Sequence, residues 1–170
     1  MSQLIFDLET TGLLRRGSQL HCLVIRDADA DCADVYDNRD GLQIADGLRR
    51  LEAAPAIVGH NIISYDIPML RELGDFTPRG EVIDTLVLSR LMYANLIDRD
   101  YQKQIDGMPV KLYGRHSLEA WGHRLRIFKG DYGKQNDWST YTPEMRDYCV
   151  QDTEVTLALW QKLQRAIQPN

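Results

Sequence analysis

The sequence predicts an α/β fold: a mixed central sheet that begins as an antiparallel meander, continues with parallel strands and is flanked by helices. Three observations predict it. Strand-like runs follow one another closely from Leu4 to Tyr36. Helical stripes and short apolar runs then alternate from Leu42 to Tyr93. Thr142-Pro143-Glu144 finally opens a long closing helix. A meander followed by strand, helix, strand and helix places helices against a mixed sheet.

The first strand lies in the stretch from Leu4, where Leu4 and Phe6 alternate with a second set of positions until Gly12 breaks the run. His21 to Arg26 reads as a second strand and Ala33 to Tyr36 as a short third. Leu42, Ile44, Ala45, Leu48 and Leu51 form a helical stripe that ends before Pro55. Ala56-Ile57-Val58-Gly59 is a continuous apolar run, as in a strand buried on both faces. Pro68 suits the first turn of a helix reaching Leu73, with Asp66 near its cap and Gly74 as its stop. Glu81-Val82-Ile83 is a fifth strand, and Asp84 caps a helix through Tyr93. Periodicity fades from Asn95 to Arg115, which predicts a surface excursion. Ser117 caps the helix Leu118 to Leu125, and 129–141 reads as a polar loop. Thr142 is a cap residue with Pro143 at the first helical position, and the helix runs to about Ile167.

Length and composition bound the function. The 170 residues suit one domain with a full-sized core, spanning 1–170. No apolar run approaches the ~20 residues that span a bilayer, which predicts no membrane partner. Met1 leads straight into the first strand, which predicts no cleaved leader. Cys22, Cys32 and Cys149 contain no Cys-x-x-Cys pair, which argues for reduced, buried thiols in a cytoplasmic protein and against a zinc site. The net charge of −5 is uneven: the segment from Lys103 to Lys134 carries seven Lys/Arg against three acids. A basic sector beside an acidic site suits a polyanion, although a solvated face has the same composition.

Four carboxylates stand at element ends or on apolar faces. Side chains two apart on a strand share a face, so Asp7 and Glu9 lie side by side at the end of an apolar run. Such a pair is tolerated with a cation between the two, or with both pointing to solvent. Asp66 at a helix start is a site residue or simply a cap. Asp152 lies on the stripe Met145, Tyr148, Cys149, Val155, Thr156 and Leu159, with Tyr148 one turn earlier. No basic residue at 148, 149, 155 or 156 offers it a local partner.

Three segments carry a resemblance across nearly the whole chain: Phe6-Asp7-Leu8-Glu9-Thr10-Thr11-Gly12-Leu13, His60-Asn61 with Tyr65-Asp66-Ile67-Pro68-Met69-Leu70, and Tyr148-Cys149-Val150-Gln151-Asp152. The chain resembles the proofreading 3′–5′ exonuclease domain of family A DNA polymerases, in the ribonuclease H-like fold, and is most similar to the replicative polymerases of podovirus-type bacteriophages. Ile83 to Leu91 and Ser117 to Gly122 extend the likeness. Position 147 is Asp and position 148 is Tyr, which matches the tyrosine subtype rather than the histidine one.

The resemblance implies hydrolysis of single-stranded DNA from its 3′ end to nucleoside 5′-monophosphates, with two divalent cations, Mg²⁺ or Mn²⁺. It implies Asp7 bridging both ions, Glu9 and Asp152 completing one ion's site, Asp66 holding the other, and Tyr148 orienting the attacking water. It also implies contacts from Thr10, Leu13 and Asn61 to the terminal nucleotide. Trp121, Trp138 and Trp160 are candidates for base stacking, with core packing the alternative for Trp121 and Trp160. A separately encoded DNA polymerase is the implied partner and a host cytoplasm the implied setting. The 170 residues hold no polymerase segment, which fits a free-standing exonuclease or a domain cut from a longer chain, and Met1 beside the first strand leans toward the former as the expectation. An exoribonuclease of the same fold and an inactive binding module are the alternatives.

Overall fold

The computed structural model describes residues 3–12, 18–30, 32–39, 42–127 and 138–168. The meander is present: β1 (Leu4–Thr10), β2 (Leu20–Asp27) and β3 (Ala33–Tyr36) pair antiparallel in sequence order. β4 (Ala56–Gly59) adds parallel to the other side of β1, and β5 (Glu81–Asp84) adds parallel to β4. The sheet order is therefore β3-β2-β1-β4-β5, with β1 at its centre. Six helices accompany it among the described residues: α1 (Ile44–Ala53), α2 (Asp66–Leu73), α3 (Thr85–Met92), α4 (Leu96–Lys103), α5 (Leu118–Leu125) and α6 (Pro143–Ile167). None of them is long and apolar enough to cross a membrane.

β1 is buried on both faces, and this divides the core. Leu4, Phe6 and Leu8 pack with Leu51, Ile57, Ile62, Met69 and Leu70 on the side of α1 and α2. Ile5 points the other way, into Trp121, Val155, Leu159 and Leu163 of α5 and α6. Asp7 and Glu9 follow Ile5 at spacings of two, so they face α6. Each fully buried aliphatic side chain here contributes about 1.5–3 kcal/mol. The second of these layers thus fixes β1 against α6 beside the carboxylate pair.

Two expectations change. The helix predicted from Leu42 starts at Ile44, because Leu42 is drawn into a bridge with Tyr36 and the Ile44 N–H is capped by Asn38 Oδ1. The excursion from Asn95 to Arg115 contains α4 and a 3₁₀ turn at Val110–Leu112. α4 lacks an apolar stripe because the position one turn after buried Leu96 is buried Asp100. Its partner, Arg124, lies on α5, out of reach of any local pattern.

Candidate active site

Asp7 and Glu9 lie where the sheet's connections part. The pairing of β1 with β4 is registered at Leu4–Ile57 and Ile5–Val58, and β1 continues past it. The chain leaves the carboxyl ends of β1 and β4 in opposite directions along the sheet, toward β2 and toward β5. A crevice at such a switch point is where open α/β sheets bind ligands. Asp66 enters it as the first residue of α2, and Asp152 enters from α6. Asp7, Glu9, Asp66, Asp152, Tyr148 and Asn61 line one cleft of about 500 Å³.

The loop between β4 and α2 is held by its backbone. A Cβ at Gly59 would lie 2.2 Å from Ile62 Cγ2 and 3.1 Å from Phe6 O, so only glycine fits there. Asn61 adopts a φ of 69°, a conformation that asparagine tolerates better than most residues. Asp84 fixes both sides of this loop. It accepts from Leu86 N at 2.9 Å as the cap of α3, and from Asn61 N at 3.0 Å and Ile63 N at 3.1 Å. The predicted cap is correct, and the same carboxylate also ties α3 to the loop that delivers Asp66.

Asp7 and Glu9 are joined by Cys149. Ligand-capable atoms of the three lie within 4.8 Å of one another, and the Cys149 thiol donates to Asp7 Oδ2 at 3.3 Å. Burial, the adjacent Cys22 and then the Asp7 charge push that thiol well above its usual range, so it remains a protonated donor. Cys149 is as buried as expected, but it also grips the central carboxylate.

Asp66 is 4% exposed, and its carboxyl is pushed up to about 7, first by burial and then by the charges of Asp84 and Asp152. Glu9 and Asp152 are buried as well. Small hard cations take oxygen ligands, and this donor set is carboxylate-rich and crowded with like charge, so the residues fit a divalent ion. Tyr148 lines the same cleft, its ring 6.2 Å from that of Trp138.

The remaining expected contacts divide. Asn61 lines the cleft, whereas Thr10 does not. Thr10 is buried, with its Oγ1 2.7 Å from Gly12 O and 2.8 Å from the hydroxyl of Tyr65. Tyr65 also donates to Gly12 O at 2.7 Å and itself lines the cleft. Leu13 lies outside the described residues. His60 and His116 border the cleft through contacts to Thr85 and Ser89 rather than as part of the carboxylate group. Burial and then the charges of Arg124 and Arg90 lower the His116 pKa, so the ring is neutral at neutral pH. Of the tryptophans, Trp121 and Trp160 are buried in the core, while Trp138 borders the cleft.

Sequence reasoning did not single out Tyr65, Arg90 or Arg115, all of which line the cleft. Tyr65 left one signal, its place immediately before Asp66. Arg90 and Arg115 left none beyond charge, because only the packing of α3 and α5 brings them together.

The comparisons agree with this geometry. A family model described as 3′–5′ exonuclease matches residues 1–168. The DNA-directed DNA polymerase of Enterobacteria phage T3 is 37% identical over 94% of this chain, and that of Escherichia phage T7 is 36% identical over the same share. The chain spans 26% of the length of each. Among solved structures, a nuclease in its apo form superposes with a TM-score of 0.69 at 25% identity, over 95% of this chain and 71% of that one. Brucella melitensis NrnC with bound Mg²⁺ gives 0.62 at 20% identity, over 98% and 76%. Escherichia coli RNase D, an exoribonuclease, gives 0.60 at 17% identity, over 95% and 38%, a likeness of fold. With a buried carboxylate group at the switch point of a ribonuclease H-like sheet, the chain belongs to the 3′–5′ exonuclease family found in family A DNA polymerases.

Proposed function

We propose that this cleft hydrolyses the terminal phosphodiester at the 3′ end of single-stranded DNA, releasing nucleoside 5′-monophosphates in proofreading or end trimming. The observation that carries the reading is the convergence of Asp7, Glu9, Asp66, Asp152 and Tyr148 from three elements on one cleft. Asp7, Glu9, Asp66 and Asp152 would hold two divalent cations, Mg²⁺ or Mn²⁺. Bound there, such ions supply Lewis acidity at the attacking water and at the leaving 3′ oxygen. Asp7 would help to hold both ions, with Glu9 and Asp152 at one and Asp66 at the other.

The chain's own residues do the rest. The Tyr148 hydroxyl orients the attacking water. Asn61 and Tyr65 contact the terminal nucleotide, and Thr10 acts through Tyr65 by fixing its hydroxyl. Arg90 and Arg115 offset the charge of the entering phosphates. The phage relatives, named as DNA polymerases, support DNA as substrate and a polymerase as partner.

The test is a 5′-labelled single-stranded DNA oligonucleotide incubated with Mg²⁺, alongside an RNA of the same sequence, EDTA and Asp7→Ala. The expected result is a DNA ladder shortening from the 3′ end, absent in both controls and slower on RNA. Faster RNA degradation would overturn the substrate, and a fully active Asp7→Ala chain would overturn the site.

A further inference from the structure

A second cleft, of about 670 Å³, opens between α4, α5 and α6. Its charge is opposite to that of the first. Arg99, Lys103, Arg126 and Lys162 line it and are exposed, against one exposed acid, Asp106. Arg124 and Asp100 also line it but neutralise each other in a pair shielded from solvent, with side chains 6% and 2% exposed. In a chain of net charge −5 this is a local positive excess. The wall is aromatic. Arg99 and Lys162 lie 5.3 and 5.9 Å from the centroid of the Tyr93 ring, which holds both cations along it. Trp121 forms another part of the wall, and its buried Nε1 has no hydrogen-bond partner among the described residues.

The two clefts are neighbours. The ring of Trp121 meets that of His116 edge-on at 6.4 Å, and His116 lines the carboxylate cleft. Arg90 and Arg115 lie on the carboxylate side of this boundary and the four exposed cations on the other. Lys162 lies ten residues beyond Asp152 on α6, about 15 Å along the helix. A positive cleft with an aromatic wall beside a phosphodiester-cleaving site is suited to the backbone of a single strand. Positive charge this close to the catalytic cleft favours nucleic acid over an acidic protein segment, which would need no such closeness.

We propose that this second cleft binds the phosphodiester backbone of the strand whose 3′ end occupies the carboxylate cleft, a few nucleotides from the terminus. The proposal rests on the function inferred above. The test compares the unsubstituted chain with a triple variant, Arg99→Gln, Lys103→Gln and Lys162→Gln, which leaves Arg126 in its left-handed position. The substrates are 5′-labelled thymidylate oligomers, one of three nucleotides and one of fifteen. In the variant the KM for the longer oligomer should rise about tenfold with kcat unchanged. Its salt dependence should weaken by a slope of about 2, as expected for three lost phosphate contacts on a single strand. Both constants for the trinucleotide should stay the same. Equal effects on the two lengths, or none on the longer, overturn the proposal.

Anisotropy of the labelled longer oligomer in EDTA gives a readout without catalysis and should show about tenfold weaker binding in the variant. If the unsubstituted chain cuts neither oligomer, the catalytic reading fails while this measurement still decides the cleft. Binding of inorganic phosphate or a polyglutamate peptide that the triple variant loses, with binding of the longer oligomer unchanged, assigns the cleft to another anion and overturns the proposal.

Discussion

Asp66 and Asp100 are both buried aspartates near the start or middle of short helices, and they are treated in opposite ways. Asp100 accepts from Arg124 through two guanidinium nitrogens, Nε at 3.0 Å and Nη2 at 2.7 Å, and from Gly114 N at 2.8 Å. Burial alone would raise its carboxyl, but these donors and the Arg124 charge outweigh it and hold it below the usual carboxylate range. Asp66 is surrounded by acids, and burial together with Asp84 and Asp152 pushes it up to about 7. The satisfied charge makes structure. Arg124 also donates to Arg115 O at 2.7 Å, so the Asp100 pair anchors the segment that brings Arg115 and His116 to the catalytic cleft. The crowded charge is costly to fold and useful only when something positive arrives.

The comparison predicts a double dissociation. Asp66→Asn should reduce Mg²⁺-dependent cleavage by about 10²-fold or more, since several kcal/mol of charge stabilisation are lost at ~1.4 kcal/mol per tenfold. Gel assays at saturating DNA measure it, and activity within a few-fold of the unsubstituted chain would remove Asp66 from the site. Asp100→Ala should act on stability instead. Breaking one partner of a buried pair costs about 3–5 kcal/mol. Urea unfolding would register it as a lower midpoint. The double variant Asp100→Leu with Arg124→Met should recover most of the loss, because no unpaired charge remains.

The same contrast has a pH signature in EDTA. A carboxyl raised in the folded chain keeps its proton to higher pH than in the unfolded chain, so the folded state loses stability as pH climbs from the ordinary aspartate value of 3.8 to about 7. Lowering the pH from 7 toward 4 should therefore stabilise the metal-free chain through Asp66. Asp100 has the opposite sign: its contribution is present above its unfolded pKa and is lost only as acid protonates it in the folded chain. Asp66→Asn should flatten the rise between pH 7 and 4 and leave the loss in stronger acid. If the rise survives in Asp66→Asn, the burden on that carboxyl has been misplaced.

This contrast also explains what could be read in the sequence. The meander, the parallel strands and the caps at Asp84, Ser117 and Thr142 were legible because period, turn residues and capping act within a few positions. The carboxylates were legible for a related reason: Asp7 and Asp152 interrupt otherwise apolar faces, and an interruption is visible without its partners. α4 was not legible, because its core position is a charge whose partner is 24 residues away. Thr10 sits in the right segment, yet it lies past the register shift that follows Glu9, and its hydroxyl meets that of Tyr65. The second cleft left only an excess of positive charge between Lys103 and Lys134, and it took the packing of α4, α5 and α6 to gather Arg99 and Lys162 into it.

Cys149 lies between the two treatments, an uncharged donor placed on the most central acid. Its 3.3 Å bond to Asp7 Oδ2 ties that carboxylate to α6. Outer partners of metal ligands commonly affect metal affinity by 10–100-fold. A thiol is a weak donor, so the low end is expected: Cys149→Ala should raise the Mg²⁺ concentration at half-maximal activity about tenfold. Cys149→Ser keeps a donor at nearly the same place and should stay within about twofold. Isothermal titration of Mg²⁺ into both variants separates orientation from packing, because a cavity left by the lost sulfur would lower stability without moving metal affinity. Equal loss of affinity in Ser and Ala would mean that volume at Cys149, rather than its hydrogen bond, holds Asp7 in place.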